Sequence, residues 1–186
     1  MASYNYAFQN FNEELMARAV GRDLGISTKQ SIEICNYLRH RKLEQAKRLL
    51  EEVIGKKRAI PFKRFTNGLG HRSGKIAAGR YPLKACTAIL KLLESTEANA
   101  QTKGLNTGEL EIIHICAHRA SQPVHYGRHH GREFKRTHVE VVVQETVAKK
   151  KGEKQGKEAE PKEKEHAPKE KHAQKAKTKE GKEDKK

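Results

Sequence analysis

Two stretches of alternating residues constrain the fold of this chain most strongly. In ELEIIHICAH, residues 109–118, the alternation predicts one common face for Leu110, Ile112, His114 and Cys116. In THVEVVVQE, residues 137–145, it predicts one common face for Val139, Val141 and Val143. A period of two is typical of strands that bury one side. The sequence therefore predicts two antiparallel strands joined by a long connection.

The connection between these strands concentrates positive charge. Its second half, HYGRHHGREFKRTH at 125–138, holds four histidines and four Lys or Arg residues around one carboxylate, Glu133. A solvated surface loop normally mixes both signs, so this bias favours an anionic partner. If strand pairing continues through 117–136, each arm has about ten residues and extends about 30 Å at roughly 3.3 Å per residue. A free ribbon of that length is marginal in water, so a partner should hold it.

Helical periodicity marks three further segments. Ser27 followed by Gln30 resembles a capping box and predicts a helix over about 28–39. A second apolar stripe begins at residue 43 and stops before Gly55, and a third, which begins at Pro82, predicts a long helix over about 82–102. With 17–24 as a possible third strand, the predicted class is α+β: three helices packed on a small antiparallel sheet, with a protruding β-hairpin.

A change in composition near residue 148 divides the chain. From there to residue 186 the sequence has 15 Lys, 9 acidic residues and no apolar side chain larger than Ala. Such a segment buries too little surface to offset its ordering entropy, which predicts a disordered tail at 148–186 after a folded domain at 1–147. The tail accounts for six of the sixteen surplus positive charges, so the predicted domain is itself basic.

The composition also narrows the class of protein. The net charge of +16 and a pI near 9.8 favour a polyanionic partner. The N-terminus lacks a signal-peptide pattern and no apolar run reaches the roughly 20 residues of a membrane span, which predicts a soluble intracellular protein with no membrane partner. Three widely spaced cysteines, Cys35, Cys86 and Cys116, are interpreted as reduced core thiols.

Residues 56–81 lack periodicity and contain eight Lys or Arg residues but no Asp or Glu. A loop this long inside a small domain is usually functional or disordered. GLGHRSGK at 68–75 differs from a nucleotide-binding P-loop, because three residues rather than four separate Gly70 from Gly74 and Ile76 follows Lys75. A flexible basic loop that fits against RNA phosphates is the favoured interpretation.

Six of the ten histidines lie between His114 and His138, which raises two alternatives. Zinc sites usually combine convergent ligands at fixed spacing, and no C-x-x-C or H-E-x-x-H motif occurs. The favoured prediction is therefore no metal, no cofactor and no catalytic residue, with the histidines stacking on bases and bonding to phosphates. A histidine-based RNA-processing or metal-binding protein, and a general nucleic-acid chaperone, remain as alternatives.

Several ordered segments resemble the universal large-subunit ribosomal protein twenty-two family, in its archaeal and eukaryotic form. The resemblance covers about residues 14–146 and rests on ISTKQSIEICNYLRHRKLEQAKRLLEEV at 26–53, AGRYPLKACTAILKLLESTEANAQTKGL at 78–105, the R-x-x-G-R element, and KRTHVEVVV at 135–143. The R-x-x-G-R element consists of Arg128, Gly131 and Arg132. The bacterial form has a shorter join at 56–81, which indicates the archaeal and eukaryotic branch.

The resemblance implies a structural, non-enzymatic protein in the cytoplasmic ribosome. Its expected partners are large-subunit rRNA, neighbouring ribosomal proteins near the peptide exit tunnel, and the nascent polypeptide along the hairpin. The predicted rRNA-binding residues of the body are Lys29, Arg39, Arg41, Lys63, Arg64, His71, Arg72, Lys75 and Arg80. Those of the hairpin are Arg119, Arg128, His129, His130, Arg132, Lys135 and Arg136.

Overall fold

The computed structural model describes residues 4–146. In chain order its elements are β1 (Met16–Leu24), α1 (Thr28–Leu38), α2 (Leu43–Ile54), β2 (Ile60–Pro61), β3 (Gly79–Arg80), α3 (Leu83–Thr102), β4 (Leu110–Arg119) and β5 (Thr137–Glu145). The three predicted helices are all present and pack on an antiparallel sheet, so the predicted α+β class is confirmed. The predicted tail at 148–186 lies outside the described residues.

The main sheet has three antiparallel strands in the order β1-β5-β4. Val141, at the middle of β5, pairs with Ala19 of β1 and with Ile115 of β4. The segment predicted as a possible third strand is thus β1, and it lies beside β5 although more than a hundred residues separate them in sequence. The valines at 139, 141 and 143 are fully buried, as the alternation predicts.

The predicted alternation in β4 is wrong beyond Ile112. A β-bulge lies between Ile112 and His114, and it leaves Ile113 without a paired residue on β5. One extra residue reverses the side toward which every later side chain points. Ile115 therefore enters the core, while His114 and Cys116 lie on the opposite face. Cys116 is accordingly half-buried, unlike the buried thiols Cys35 and Cys86.

The helices bury one face of this sheet. Leu38 of α1, Leu50 of α2, and Ile89 and Leu93 of α3 are fully buried in a single cluster with the inward side chains of the strands. Leu90, predicted on the buried stripe of α3, is only partly buried against that cluster. Ser27 precedes α1 as predicted, but its side chain makes no capping hydrogen bond, so the capping-box interpretation is wrong.

Residues 56–81 are more ordered than the sequence indicates. Ile60 and Pro61 of β2 pair with Arg80 and Gly79 of β3, and Ile60 is fully buried in the core. A Cβ atom at Gly79 would lie 3.2 Å from the carbonyl oxygen of Ile60, so a larger residue here would push the two short strands slightly apart. The pairing of β2 with β3 and the burial of Ile60 therefore hold the basic segment at 56–81 against the core.

The face of the sheet away from the helices is covered by residues 4–12. The ring of Phe8 lies 5.5 Å from that of His114, and the ring of Tyr4 lies 6.3 Å from that of His138. The guanidinium of Arg18 packs on the rings of Tyr6 and Phe11. Among the described residues, no helix has both the length and the apolar character needed to cross a membrane.

Candidate nucleic-acid interface

The predicted binding residues are at the surface. All are exposed except Arg41 and Arg136, which are half-buried. Within residues 4–146, Arg119 is the one member of this set that forms an ion pair, with Glu133 at 3.7 Å. Since the remaining charges have no carboxylate partner in this part of the chain, they are available to an anion.

Four of these residues, from different segments, line one groove. The groove has a volume of about 470 Å³ and is bounded by the start of α1, residues 62–69, β3 and the base of the hairpin. Its cationic side chains are those of Lys29, Arg64, Arg80 and Lys135, and we call it the basic groove. None of the carboxylates within residues 4–146 lines it. The N-terminus of α1 adds a partial positive charge at the same place.

A buried carboxylate fixes the wall of the basic groove. Glu33 of α1 is 2% exposed and accepts hydrogen bonds from the backbone N–H groups of Lys63, Arg64 and Phe65, at 3.1, 2.7 and 2.8 Å. The charge of Glu33 is therefore directed at the backbone rather than at the cationic side chains. The ring of Phe65 lies 5.3 Å from the guanidinium of Arg64 and 5.7 Å from the ammonium of Lys29.

A second basic groove, of about 480 Å³, lies beside Tyr37 and Tyr81. It contains the predicted residues Arg41 and Lys75, together with Lys57 and Arg58, which the sequence analysis did not select. The KKR run at 56–58 could have indicated them. The guanidinium of Arg41 donates to the carbonyl of Tyr37 at 2.8 Å and stacks 4.5 Å from its ring, so this cation is held in place.

Three other predicted residues of the body lie beside these grooves. Arg39 and Lys63 line a smaller cavity of about 280 Å³, which they share with Arg41. Arg72 donates from Nε to the carbonyl of Gly79 at 3.3 Å and lies over the ring of Tyr81. His71 forms an isolated bridge with Ala78 and is exposed. Backbone contacts thus anchor the rim of the basic segment.

Residues 120–136 leave the sheet as a narrow extension whose two arms contact each other. His125 N–H donates to the carbonyl of Arg132 at 2.8 Å, and Phe134 N–H donates to that of Pro123 at 2.9 Å. The rings of His125 and Phe134 stack at 3.6 Å. β4 ends at Arg119 and β5 begins at Thr137, and beyond them an isolated antiparallel bridge pairs Val124 with Glu133, so the two arms pair only in part.

The tip of the extension carries most of its exposed cations. A 3-10 turn over Gly127–His129 presents Arg128 and His129, and His130 and Arg132 follow it. Tyr126, next to this turn, is 84% exposed. At the base, Arg136 instead donates to the carbonyl of Asp23 at 2.9 Å. Lys135 is the hairpin residue that joins the body residues in the basic groove.

The geometry of the fold and the charge of its surface together define the class of protein. The structure is a small basic α+β protein with two cationic grooves and a cationic extension, surfaces suited to a polyanion such as nucleic acid. A family model described as ribosomal protein L22p/L17e matches residues 19–144. The chain belongs to this family, as its sequence resemblance predicts. The matched range includes both grooves and the extension but excludes residues 4–12.

Comparison with archaeal ribosomal proteins supports the same family assignment. The chain is 42% identical over 153 residues to large ribosomal subunit protein uL22 of Methanosphaera stadtmanae, which covers 78% of this chain and 99% of that protein. It is 42% identical over 151 residues to uL22 of Archaeoglobus fulgidus, with 77% and 97% covered. For uL22 of Methanocaldococcus jannaschii the identity is 40% over 152 residues, with 78% and 97% covered.

Proposed function

We propose that this protein is a structural, non-catalytic component of the large ribosomal subunit that binds large-subunit rRNA. The observation that carries the proposal is the basic groove, where cations from four separate segments meet with no carboxylate from the described part of the chain among them. Single-sign clusters of this kind raise the free energy of the unbound protein through repulsion, and phosphates remove that repulsion. Membership of the ribosomal family and the archaeal uL22 relatives supports the same assignment.

The body and the extension have different parts in this proposal. The two grooves hold rRNA phosphates through Lys29, Arg41, Arg64, Lys75, Arg80 and Lys135, and Arg39, Lys63, His71 and Arg72 contact the RNA around them. Tyr126 and the guanidinium of Arg128 offer flat exposed surfaces on which RNA bases stack. The extension threads between rRNA helices and its tip forms part of the wall of the nascent-peptide exit tunnel, beside neighbouring ribosomal proteins, in cytoplasmic ribosomes.

A comparison of two double variants, each with two Lys→Gln substitutions, tests the role of the basic groove. Lys29→Gln with Lys135→Gln removes two groove charges, whereas Lys84→Gln with Lys91→Gln removes two exposed charges that line a different cavity, between β1 and α3. Each lost phosphate contact lowers the slope of log affinity against log salt by about 0.7–0.9, so the groove variant should lose about 1.5. The control variant should change the slope by much less. Equal slopes for both variants would contradict the proposed interface.

Assembly is tested by sedimentation of a cell extract through a sucrose gradient at moderate salt, with immunodetection of the full-length protein. We expect stoichiometric migration with the large subunit. Recovery at the top of the gradient, with intact large subunits that lack the protein, would exclude the ribosomal assignment. RNA cleavage that is lost in His129→Ala or His130→Ala would favour the histidine-based enzyme instead.

A further inference from the structure

The face of the sheet away from the helices carries a cluster of metal-ligating side chains. The bulge at Ile113 places His114, Cys116 and His118 on this face at alternate positions of β4. Glu140 of β5 lies directly opposite Cys116 in the strand pairing. The cluster is separate from both basic grooves and from the tip of the hairpin.

The ligating atoms of these four residues are close together. The Oε1 atom of Glu140 lies 2.9 Å from His114 Nε2 and 2.8 Å from Cys116 Sγ. The Nε2 atom of His118 lies 2.9 Å from Cys116 Sγ and 3.4 Å from the same oxygen. One ligand atom from each of His114, Cys116 and Glu140 lies within 4.8 Å of the other two.

Residues 4–12 enclose the cluster from outside. Glu140 has no exposed surface, and its carboxylate accepts the backbone N–H of Ala7 at 3.2 Å. The ring of Phe8 packs beside the imidazole of His114. Hydrogen bonds of this kind orient a ligand, and an apolar cover excludes water from it. The side chain of His118 is 46% exposed, which leaves it free to adjust toward the other three.

We propose that His114, Cys116 and Glu140, with His118 as fourth ligand, bind one Zn²⁺ ion. Two imidazoles, a thiolate and a carboxylate form a donor set that Zn²⁺ accepts with tetrahedral geometry. The ion, the thiolate and the carboxylate sum to zero charge, which suits a site enclosed in a basic protein. On binding, the Cys116 thiol releases its proton to solvent while the imidazoles bind as neutral groups through Nε2.

The distances are compatible with this geometry. With bonds of about 2.0–2.3 Å, the edges of a zinc tetrahedron measure about 3.3–3.7 Å. His114 Nε2 and Cys116 Sγ therefore need to move about 0.5 Å away from Glu140 Oε1. His118 lies outside the group of three whose ligand atoms are all within 4.8 Å of one another, so its exposed side chain has to rotate toward His114 to complete the tetrahedron. Without a metal ion, His114 Nε2, Cys116 Sγ and His118 Nε2 crowd within 3.4 Å of one carboxylate oxygen, which has two lone pairs. Zinc binding relieves that crowding by sharing the four ligand atoms around a cation.

Burial and hydrogen bonds also shift the pKa values of the thiol and the carboxylate in this cluster. Burial, then the hydrogen bond to Glu140 and its charge, raise the pKa of the Cys116 thiol above its usual range. Burial acts to raise the pKa of Glu140, but hydrogen bonds from Cys116, His114 and the N–H of Ala7 outweigh it and lower the pKa.

Titration of the full-length, chelator-treated protein with Zn²⁺ alone, and in parallel with Co²⁺, tests the proposal. We expect one equivalent to bind, a rise in melting temperature with added zinc, and thiolate-to-cobalt charge-transfer absorption in the near ultraviolet. Cys116→Ser, which nearly preserves the shape of the side chain, should abolish that absorption and weaken zinc binding at least about tenfold. His114→Gln should also weaken zinc binding while leaving the thiol in place.

Two matched variants control for other thiols and histidines. Cys86→Ala removes a buried core thiol, and His129→Gln with His130→Gln removes exposed hairpin imidazoles. Both should retain one equivalent of zinc and the cobalt spectrum. Circular dichroism establishes that each variant is folded. Absence of stoichiometric binding, or binding that survives Cys116→Ser and His114→Gln but disappears with His129 and His130, would overturn the proposal.

Discussion

Glu33 is expected to control the position of the basic groove, and Glu33→Gln tests this. The variant keeps the size of the side chain but removes the charge that accepts three backbone N–H groups. If the amide oxygen replaces Oε1, the bonds from Arg64 and Phe65 lose their charge assistance. The amide nitrogen then faces the N–H of Lys63, so that bond is lost.

The magnitude follows from these three bonds. A hydrogen bond to a charged group contributes about 1.5–3 kcal/mol, roughly twice a neutral one, so the gross loss is about 3–6 kcal/mol. Two effects offset part of this loss. A Gln side chain costs less to bury than a carboxylate, and water can hydrogen-bond to the backbone N–H groups of Lys63 and Arg64, because both residues are exposed. We expect a net decrease of about 2–3 kcal/mol in the free energy of unfolding.

Urea unfolding of the full-length protein measures this decrease. The matched control is Glu52→Gln, which removes an exposed ion pair with Arg58 at 3.4 Å and should cost less than about 0.5 kcal/mol. Trypsin should also cleave after Lys63 and Arg64 faster in Glu33→Gln than in the control. Equal unfolding midpoints for the two variants would refute the assigned role of Glu33.

The same variant separates position from charge in RNA binding. Glu33→Gln raises the net charge by one, which on electrostatics alone should strengthen binding to any RNA. If the carboxylate positions Lys63 and Arg64, affinity for large-subunit rRNA should instead fall while binding to unrelated RNA stays equal or rises. Stronger binding to both RNAs would show that position contributes nothing.

Two further predictions concern the core. Leu93→Ala should lower the free energy of unfolding by about 2–5 kcal/mol because Leu93 is fully buried. Leu90→Ala should lower it by less, because Leu90 is only partly buried. Equal decreases in urea unfolding would contradict this packing of α3. Burial raises the pKa of the Cys35 and Cys86 thiols from 9.0 to about 12, which lowers their thiolate fraction at pH 8 by about a thousandfold. Both should react with a disulfide reagent far more slowly in native than in urea-unfolded protein, and similar rates would contradict their burial.

Local periodicity predicted the elements of this fold well. The stripes of α1, α2 and α3 and the alternation of β5 depend on spacing within a few residues, so they can be recognised in the sequence alone. Ile60 shows the limit of this approach. It lies in a basic, glycine-containing segment without periodicity, and only the pairing of β2 with β3 brings it into the core.

The candidate interface was predictable in residue type but not in arrangement. Unpaired cations at 29, 64, 80 and 135 are visible in the sequence as a bias of charge. Their meeting in one groove depends on tertiary contacts, including the bond between Glu33 and the backbone of a segment thirty residues away. Nothing in the sequence distinguishes Glu33 from an ordinary acidic residue of a helix.

The bulge in β4 is the feature with the widest consequences, and its cause is energetic. Continued alternation from Leu110 would place the imidazole of His114 and the thiol of Cys116 in the core and expose Ile115. An isoleucine contributes about 1.5–3 kcal/mol when buried, whereas a buried imidazole without a partner costs a similar amount. Leaving Ile113 unpaired gives up part of one ladder position but keeps Ile112 and Ile115 inside. The same shift brings His114 and Cys116 to Glu140, so one unpaired residue both completes the core and assembles the proposed zinc site.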